Sequence, residues 1–414
     1  MIRLSTLSLL LLMATGQMAH SQAVAVHSNA GPDADAYGAG QGYPQAPLGV
    51  MTTQATLVGT YSHYDEARPH TTIPASANPS MLTRAPAELQ LNYQFDGNTQ
   101  SLESYLQRNP TTGLLIMRDG QIAFEHYQYG RTAQDRFTSQ SMAKGIVGIM
   151  LGIAIADGAV HSADDTVATY LPELAGTEPG KTPLRYLLTM TSGLRFHEVY
   201  DGKDDIMRLN RALNSKSYPG IAAIMQQFDA RSAAPGQVFN YSGLDTELLA
   251  LVISRATGMG LGDYVNKRLW TPMRAEAAAS WITDAHGDAV AYCCFNATLR
   301  DYGRLGTLLA HDGMAGGTQV IPKTWMLEAT TPQSPLLAPG VSGRKLGYGY
   351  QIWLLPGDRR AFALRGIHGQ VLLVDPASKT VLVHTAVRPN ATNNLGEGEL
   401  LALWNALVAH NAGL

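Results

Sequence analysis

The chain has 414 residues, 45% of them hydrophobic and 15% charged, enough apolar mass for one large globular domain or two. A formal net charge of −3 gives no reason to expect a nucleic-acid or membrane-surface partner. No apolar run in the mature chain reaches the roughly 20 clean residues that a membrane-spanning helix takes.

Residues 1–21 read as a secretory signal, with Arg3 as the charged lead, Leu4 to Ala14 as the apolar stretch and Ala19-His20-Ser21 as a small-x-small cleavage site. A periplasmic or secreted location follows; the competing reading is a short anchor that is not cleaved. Residues 22–85 are rich in Ala, Gly, Pro, Ser, Gln and His and read as a poorly ordered leader.

Gly113 to Tyr127 reads as two strands joined by an Asp119-Gly120 turn, a strong hairpin signal. Ser141-Met142-Ala143-Lys144 then opens a long apolar run that continues to Ala156. Residues three apart on a helix are neighbours on one face, about 5–6 Å between Cβ atoms. A serine at the start of a buried helix, with a lysine one turn on, can be activated without histidine. The helix N-terminus also favours the negative charge that builds up during attack.

Residues 160–290 show helical patterns broken by Gly and Pro: Pro183–Met190, Asp204–Leu213, Gly220–Gln227, Leu244–Thr257 and Leu261–Leu269. Asn296–Asp312 and Pro322–Thr331 also read as helices. The period then changes, and Tyr348–Leu355, Ala361–Arg365, Gly369–Val374 and Thr380–Val387 read as strands before a closing helix over Glu397–His410. Strands at both ends with helices between predict an α/β (α+β) fold. One antiparallel sheet, flanked by helices, is built from residues 86–160 and 290–414. A mostly helical subdomain, residues 161–289, is inserted. A site would lie in the cleft between the two.

Ser-x-x-Lys alone is a cheap pattern, and it occurs again at Ser342-Gly343-Arg344-Lys345, among glycines and a proline with no helix behind it. The bland reading of Ser141 is a helix cap beside a solvated lysine. A Ser/Lys nucleophile also needs a further acid or base and an oxyanion hole. Tyr241 stands on a turn after Pro235-Gly236 and before a helix. Arg365 to Gln370 opens a strand whose glycines let a substrate approach a backbone N–H. Each is more often only a turn or a bulge. Arg195 to Asp205 is a loop of aromatic and charged residues that could hang over a cleft. His197 and Glu198 lack metal-ligand spacing, so no metal and no cofactor is implied. The only cysteines, Cys293 and Cys294, are adjacent and cannot cross-link distant parts of the fold. They read as buried small residues, with a cysteine nucleophile as the alternative.

Taken in order, Ser141-x-x-Lys144, Tyr241-Ser-Gly243 and the His368-Gly369 strand resemble the serine β-lactamase and penicillin-binding-protein superfamily. The class C-like branch, with its esterases, D-aminopeptidases and 6-aminohexanoate-dimer hydrolases, is the nearer match. Leu187 to Leu194, Phe295 to Asp301 and Gly347 to Trp353 are similar to the family as well. The resemblance implies Ser141 as the acylated nucleophile and Lys144 with Tyr241 as a proton relay. It implies an oxyanion hole from the backbone N–H groups of Ser141 and Gln370, with Gly369 and His368 beside it. Ser192 to Tyr200 is similar to the loop of the 6-aminohexanoate-dimer-hydrolase branch, whose tyrosine closes on a linear amide; Tyr200 is its counterpart. Where β-lactam-recognising members carry Lys-Thr-Gly, this chain has Ile367-His368-Gly369, without the cation that anchors a β-lactam carboxylate. The expectation is an exported serine hydrolase of small esters or linear amides. The alternatives are a D-amino-acid peptidase or weak β-lactamase, and a sensor module that is acylated once without turnover. Oligomeric state is left open.

Overall fold

The computed structural model describes residues 27–48, 52–218, 220–392 and 398–412. The signal segment, residues 1–21, lies outside the described residues.

The main sheet has seven strands in the order Gly347–Tyr348, Trp353–Leu354, Phe362–Gly366, Gln370–Asp375, Thr380–Ala386, Thr111–Arg118 and Gln121–Tyr127. Every neighbouring pair is antiparallel. Strands from the two ends of the chain meet where Thr380–Ala386 pairs with Thr111–Arg118, so the expected sheet is present. Asp119 and Gly120 both have positive φ, as a tight two-residue hairpin turn requires.

Strand alternation divides the core in two. Leu114, Ile116 and Leu373 point to one face, against Leu403, Trp404 and Leu407 of the Glu399–Ala412 helix. Leu115, Met117 and Leu372 point to the other face and join the core around the Met142–Ala156 helix. Each of these fully buried side chains contributes about 1.5–3 kcal/mol. The Met142–Ala156 helix is apolar on all sides because it is covered on all sides, by the sheet and by the Gly243–Thr257 helix of the helical part. Its glycines set the distance. A Cβ on Gly145 would lie 2.6 Å from Leu364 Cγ, and one on Gly152 would lie 2.3 Å from the Trp325 ring. Only glycine lets this helix seat so closely.

Three expectations are corrected. Within the described residues of 22–85 there is regular structure: a helix over Gln54–Ser62, closed by a Thr53/Thr56 capping box, and a strand over His70–Ile73. That strand is the edge of a second, four-stranded sheet, ordered His70–Ile73, Ala279–Ile282, Phe295–Thr298 and Arg136–Thr138. Second, the helix read from Asn296 begins at Leu299. The preceding residues pair in the small sheet, and the Thr298 hydroxyl caps the helix by accepting from the Asp301 N–H at 3.1 Å. Third, the strand read over Tyr348–Leu355 is interrupted. Gln351 turns out with φ 60°. Its side chain donates to the Leu187 carbonyl at 2.7 Å and accepts from the Thr246 hydroxyl at 2.7 Å. Sheet and helical part are pinned together there.

Candidate functional site

Ser141 sits at the junction of these parts. The segment before it is tied to the small sheet: Ser139 N–H donates to the Phe295 carbonyl at 2.7 Å, and the Ser139 hydroxyl accepts from Phe295 N–H at 3.1 Å. Gln140 takes a positive φ of 45°, which turns the chain sharply. Ser141 then caps the Met142–Ala156 helix without spending its hydroxyl on a capping hydrogen bond. That hydroxyl accepts from Lys144 Nζ at 3.1 Å. The other tetrad is quite different. Ser342 is exposed on a short turn over Val341–Gly343, with φ 54°.

Lys144 is 1% exposed. A buried ammonium needs partners, and it has several. It donates to the Tyr292 carbonyl at 3.0 Å and lies 3.7 Å from a Glu198 carboxylate oxygen that is equally buried. Its Nζ stands 4.8 Å from the centroid of the Tyr241 ring. Tyr241 is held by its turn: Gly236 N–H donates to the Thr191 carbonyl at 2.7 Å, and Asn240 N–H donates to the Met190 carbonyl at 2.8 Å. Its ring stacks on Trp353, 5.5 Å between centroids. Ser141, Lys144 and Tyr241, read from sequence as one site, are brought together.

Tyr200 joins them. It has a positive φ of 61°, and its hydroxyl donates to the Glu198 carboxylate at 2.7 Å. Burial, and then the Glu198 charge, push its hydroxyl far above the ordinary tyrosine value, so it stays a protonated donor. Glu198 also accepts from Gly243 N–H at 2.6 Å. This one carboxylate therefore links the lysine, the loop tyrosine and the tip of the Gly243–Thr257 helix. Sequence reasoning weighed Glu198 only as a metal ligand and missed it as the counter-charge. The available signal was electrostatic: a lysine on a wholly apolar helix requires a buried acid somewhere.

The strand end is rearranged relative to expectation. Gly366, not Gly369, lies against Ser141. A Cβ on Gly366 would fall 2.4 Å from the Ser139 carbonyl oxygen and 3.0 Å from the Ser141 nitrogen. Gly369, with φ 98°, faces Ala386 and Arg388 instead. The Gln370 side chain donates to the Ala386 carbonyl at 2.7 Å and braces the turn. His368 has its Nδ1 2.5 Å from the Arg388 carbonyl oxygen, and its ring tilts on Tyr61 at 5.4 Å. It is occupied in packing, and burial lowers its pKa below the ordinary histidine value.

Cys293 and Cys294 are joined in a vicinal disulfide. They remain unable to bridge distant elements, but they are not the free buried thiols expected from sequence. Among the described residues no group of three or more His, Cys, Asp or Glu side chains is placed to hold a metal ion.

The beta-lactamase family matches residues 99–401. The 6-aminohexanoate-dimer hydrolase of Paenarthrobacter ureafaciens is 25% identical over 380 residues, 89% of this chain and 97% of that one. A solved structure from Bacillus anthracis, provisionally assigned as a 6-aminohexanoate-dimer hydrolase, superposes with a TM-score of 0.75. It is 26% identical and covers 86% of this chain and 94% of its own. A family VIII carboxylesterase, 15% identical, shares the fold with a TM-score of 0.56 over 73% of this chain and 93% of its own.

Proposed function

The chain belongs to the beta-lactamase family, and from that membership we propose a serine hydrolase that cleaves esters or linear amides through an acyl-enzyme on Ser141. The observation that carries the reading is the 3.1 Å contact between Lys144 Nζ and Ser141 Oγ in a buried setting. Ser141 Oγ attacks the substrate carbonyl carbon, and its proton passes to the Lys144/Tyr241 pair, which accepts it when the pair carries one proton fewer than an ammonium and a phenol. The oxyanion is held by backbone N–H groups, that of Ser141 and that of the strand end. The close approach of Gly366 to the Ser141 nitrogen supports Ile367 N–H as the second donor rather than Gln370. Collapse expels the alcohol or amine, which takes the proton back, and water then releases the acid.

Tyr200, a protonated donor on a loop over the nucleophile, holds the leaving side of a linear substrate. A linear amide or ester is the substrate class proposed, and with Gly366 as the glycine that faces Ser141, Leu364 rather than a lysine stands two residues before it. The name of the Paenarthrobacter relative supports the same substrate class. We also propose export, on the strength of Arg3, the Leu4–Ala14 run and Ala19-His20-Ser21. N-terminal sequencing of the protein from the periplasm or medium tests it, with a start just after residue 21 expected.

The catalytic reading is tested by turnover of a p-nitrophenyl ester and of 6-aminohexanoate dimer. Ser141→Ala abolishes both, and a fluorophosphonate or trapped acyl group maps to the peptide holding Ser141. A Ser141→Ala enzyme with full turnover would refute the mechanism.

A further inference from the structure

The vicinal disulfide lies directly behind the lysine. Tyr292, the residue before it, supplies the carbonyl that accepts from Lys144 Nζ at 3.0 Å. That carbonyl shares a rigid peptide plane with the Cys293 nitrogen, so any rotation of Cys293 re-aims it. The segment is anchored on both flanks. Ala291 N–H donates to the Glu247 carboxylate at 3.0 Å, and Trp281 Nε1 donates to the Cys293 carbonyl at 2.9 Å. Just past the second anchor Cys294 takes a φ of 71°, a left-handed conformation that a cysteine seldom adopts unaided. The ring closed by the two sulfurs removes the torsional freedom through which both residues would relax. Cys293 is only partly buried, whereas Cys294 is buried, with its sulfur 3.7 Å from the Tyr64 hydroxyl.

We propose that the Cys293–Cys294 disulfide is a positioning element for Lys144, which makes hydrolysis sensitive to a dithiol reductant. The proposal rests on the Ser141/Lys144 reading above. Reduction proceeds by ordinary exchange. A thiolate of the reductant attacks the partly exposed Cys293 sulfur and breaks the S–S bond, and Cys294 leaves as a thiolate and is protonated. The second thiol of the reductant then displaces Cys293. The protein gains two thiols, and the dithiol becomes its own cyclic disulfide. Cys294 is then free to leave the left-handed region, the Tyr292 carbonyl turns, and Lys144 Nζ loses the contact that aims it at Ser141 Oγ. Substrate-binding surfaces formed by Tyr200 and the strand end are untouched.

The experiment compares the oxidised full-length enzyme with enzyme treated with dithiothreitol and freed of excess reagent, thiols being counted by mass. The p-nitrophenyl ester kcat is expected to fall on the order of tenfold to a hundredfold, as for a displaced catalytic group, with KM unchanged and recovery on reoxidation. The Cys293→Ser/Cys294→Ser double variant shows the same loss permanently. Cys293→Ser/Cys294→Gly, in which glycine adopts positive φ freely, regains most of the kcat and ignores the dithiol. Equal kcat in oxidised, reduced and double-serine enzymes overturns the proposal. So does a loss of melting temperature with kcat and KM falling together, which would mark a purely structural bridge. If the oxidised wild type shows no Ser141-dependent turnover, the catalytic reading itself fails, and that outcome is read separately from the redox comparison.

Discussion

Ser141-x-x-Lys144 and Ser342-x-x-Lys345 share one pattern and differ in everything around it. The first serine opens a helix buried between sheet and helical part; the second is exposed on a turn among glycines. Lys144 is sealed from water and fixed by a carboxylate, a carbonyl and an aromatic ring. Lys345 is exposed at the surface. Spacing brings two groups within reach. Burial on a rigid element makes their geometry permanent and strengthens their electrostatics, and a turn supplies neither.

The comparison can be broken most directly at the serines. Ser141→Ala should lower kcat for ester hydrolysis at least about a thousandfold, while Ser342→Ala leaves kcat and KM unchanged. An equal loss in both would mean that surroundings do not distinguish the tetrads. Replacing the lysines comes next. Lys144→Met is expected to cost on the order of a hundredfold to ten-thousandfold in kcat, against none for Lys345→Met. Steady-state kinetics across pH decides it. Glu198→Gln tests why the first lysine is tolerated in the interior. It removes the counter-charge and leaves a buried cation, so unfolding in urea should show a loss of about 3 kcal/mol. No measurable loss would mean that the carbonyl and the aromatic rings suffice.

The mildest test concerns the wall behind the site. Burial first, then the charges of Asp284 and Asp288, push the Glu247 carboxyl up to about 8. Its value in the unfolded chain is about 4.3. The folded protein therefore holds this proton more tightly. The associated stability is complete below about pH 4.3 and is lost as pH rises toward 8, a change on the order of a few kcal/mol. Glu247→Gln carries no such proton and keeps an acceptor for Ala291 N–H, so its melting temperature should fall less than that of wild type between about pH 5 and 8. Parallel curves for the two proteins would show that Glu247 ionises normally.

Much of the site was legible. Ser141 and Lys144 are one helical turn apart, and the turn holding Tyr241 is marked by Pro235 and Gly236. Tyr200 was reached through family resemblance to its loop. Glu198 was not legible, because it meets Lys144 only through the path of a long loop and nothing in its local pattern sets it apart from a solvated acid. Gly366 and Gly369 lie in one short stretch and look alike. Only the register of Phe362–Gly366 against Gln370–Asp375 decides which one faces Ser141. The His70–Ile73 strand was hidden for a related reason. Four residues in a polar, proline-rich stretch carry little periodic signal, and their partner is Ala279–Ile282, about 200 residues away.

Periodicity and turn chemistry are local properties, so the sequence by itself determined the sheet built from both chain ends, the buried helix and the serine and lysine one turn apart at its start. Which carboxylate lies beside the lysine, which glycine touches the serine and which carbonyl accepts from Lys144 Nζ are matters of a few ångströms between distant segments. Those contacts depend on packing and register, and only the tertiary structure decided them.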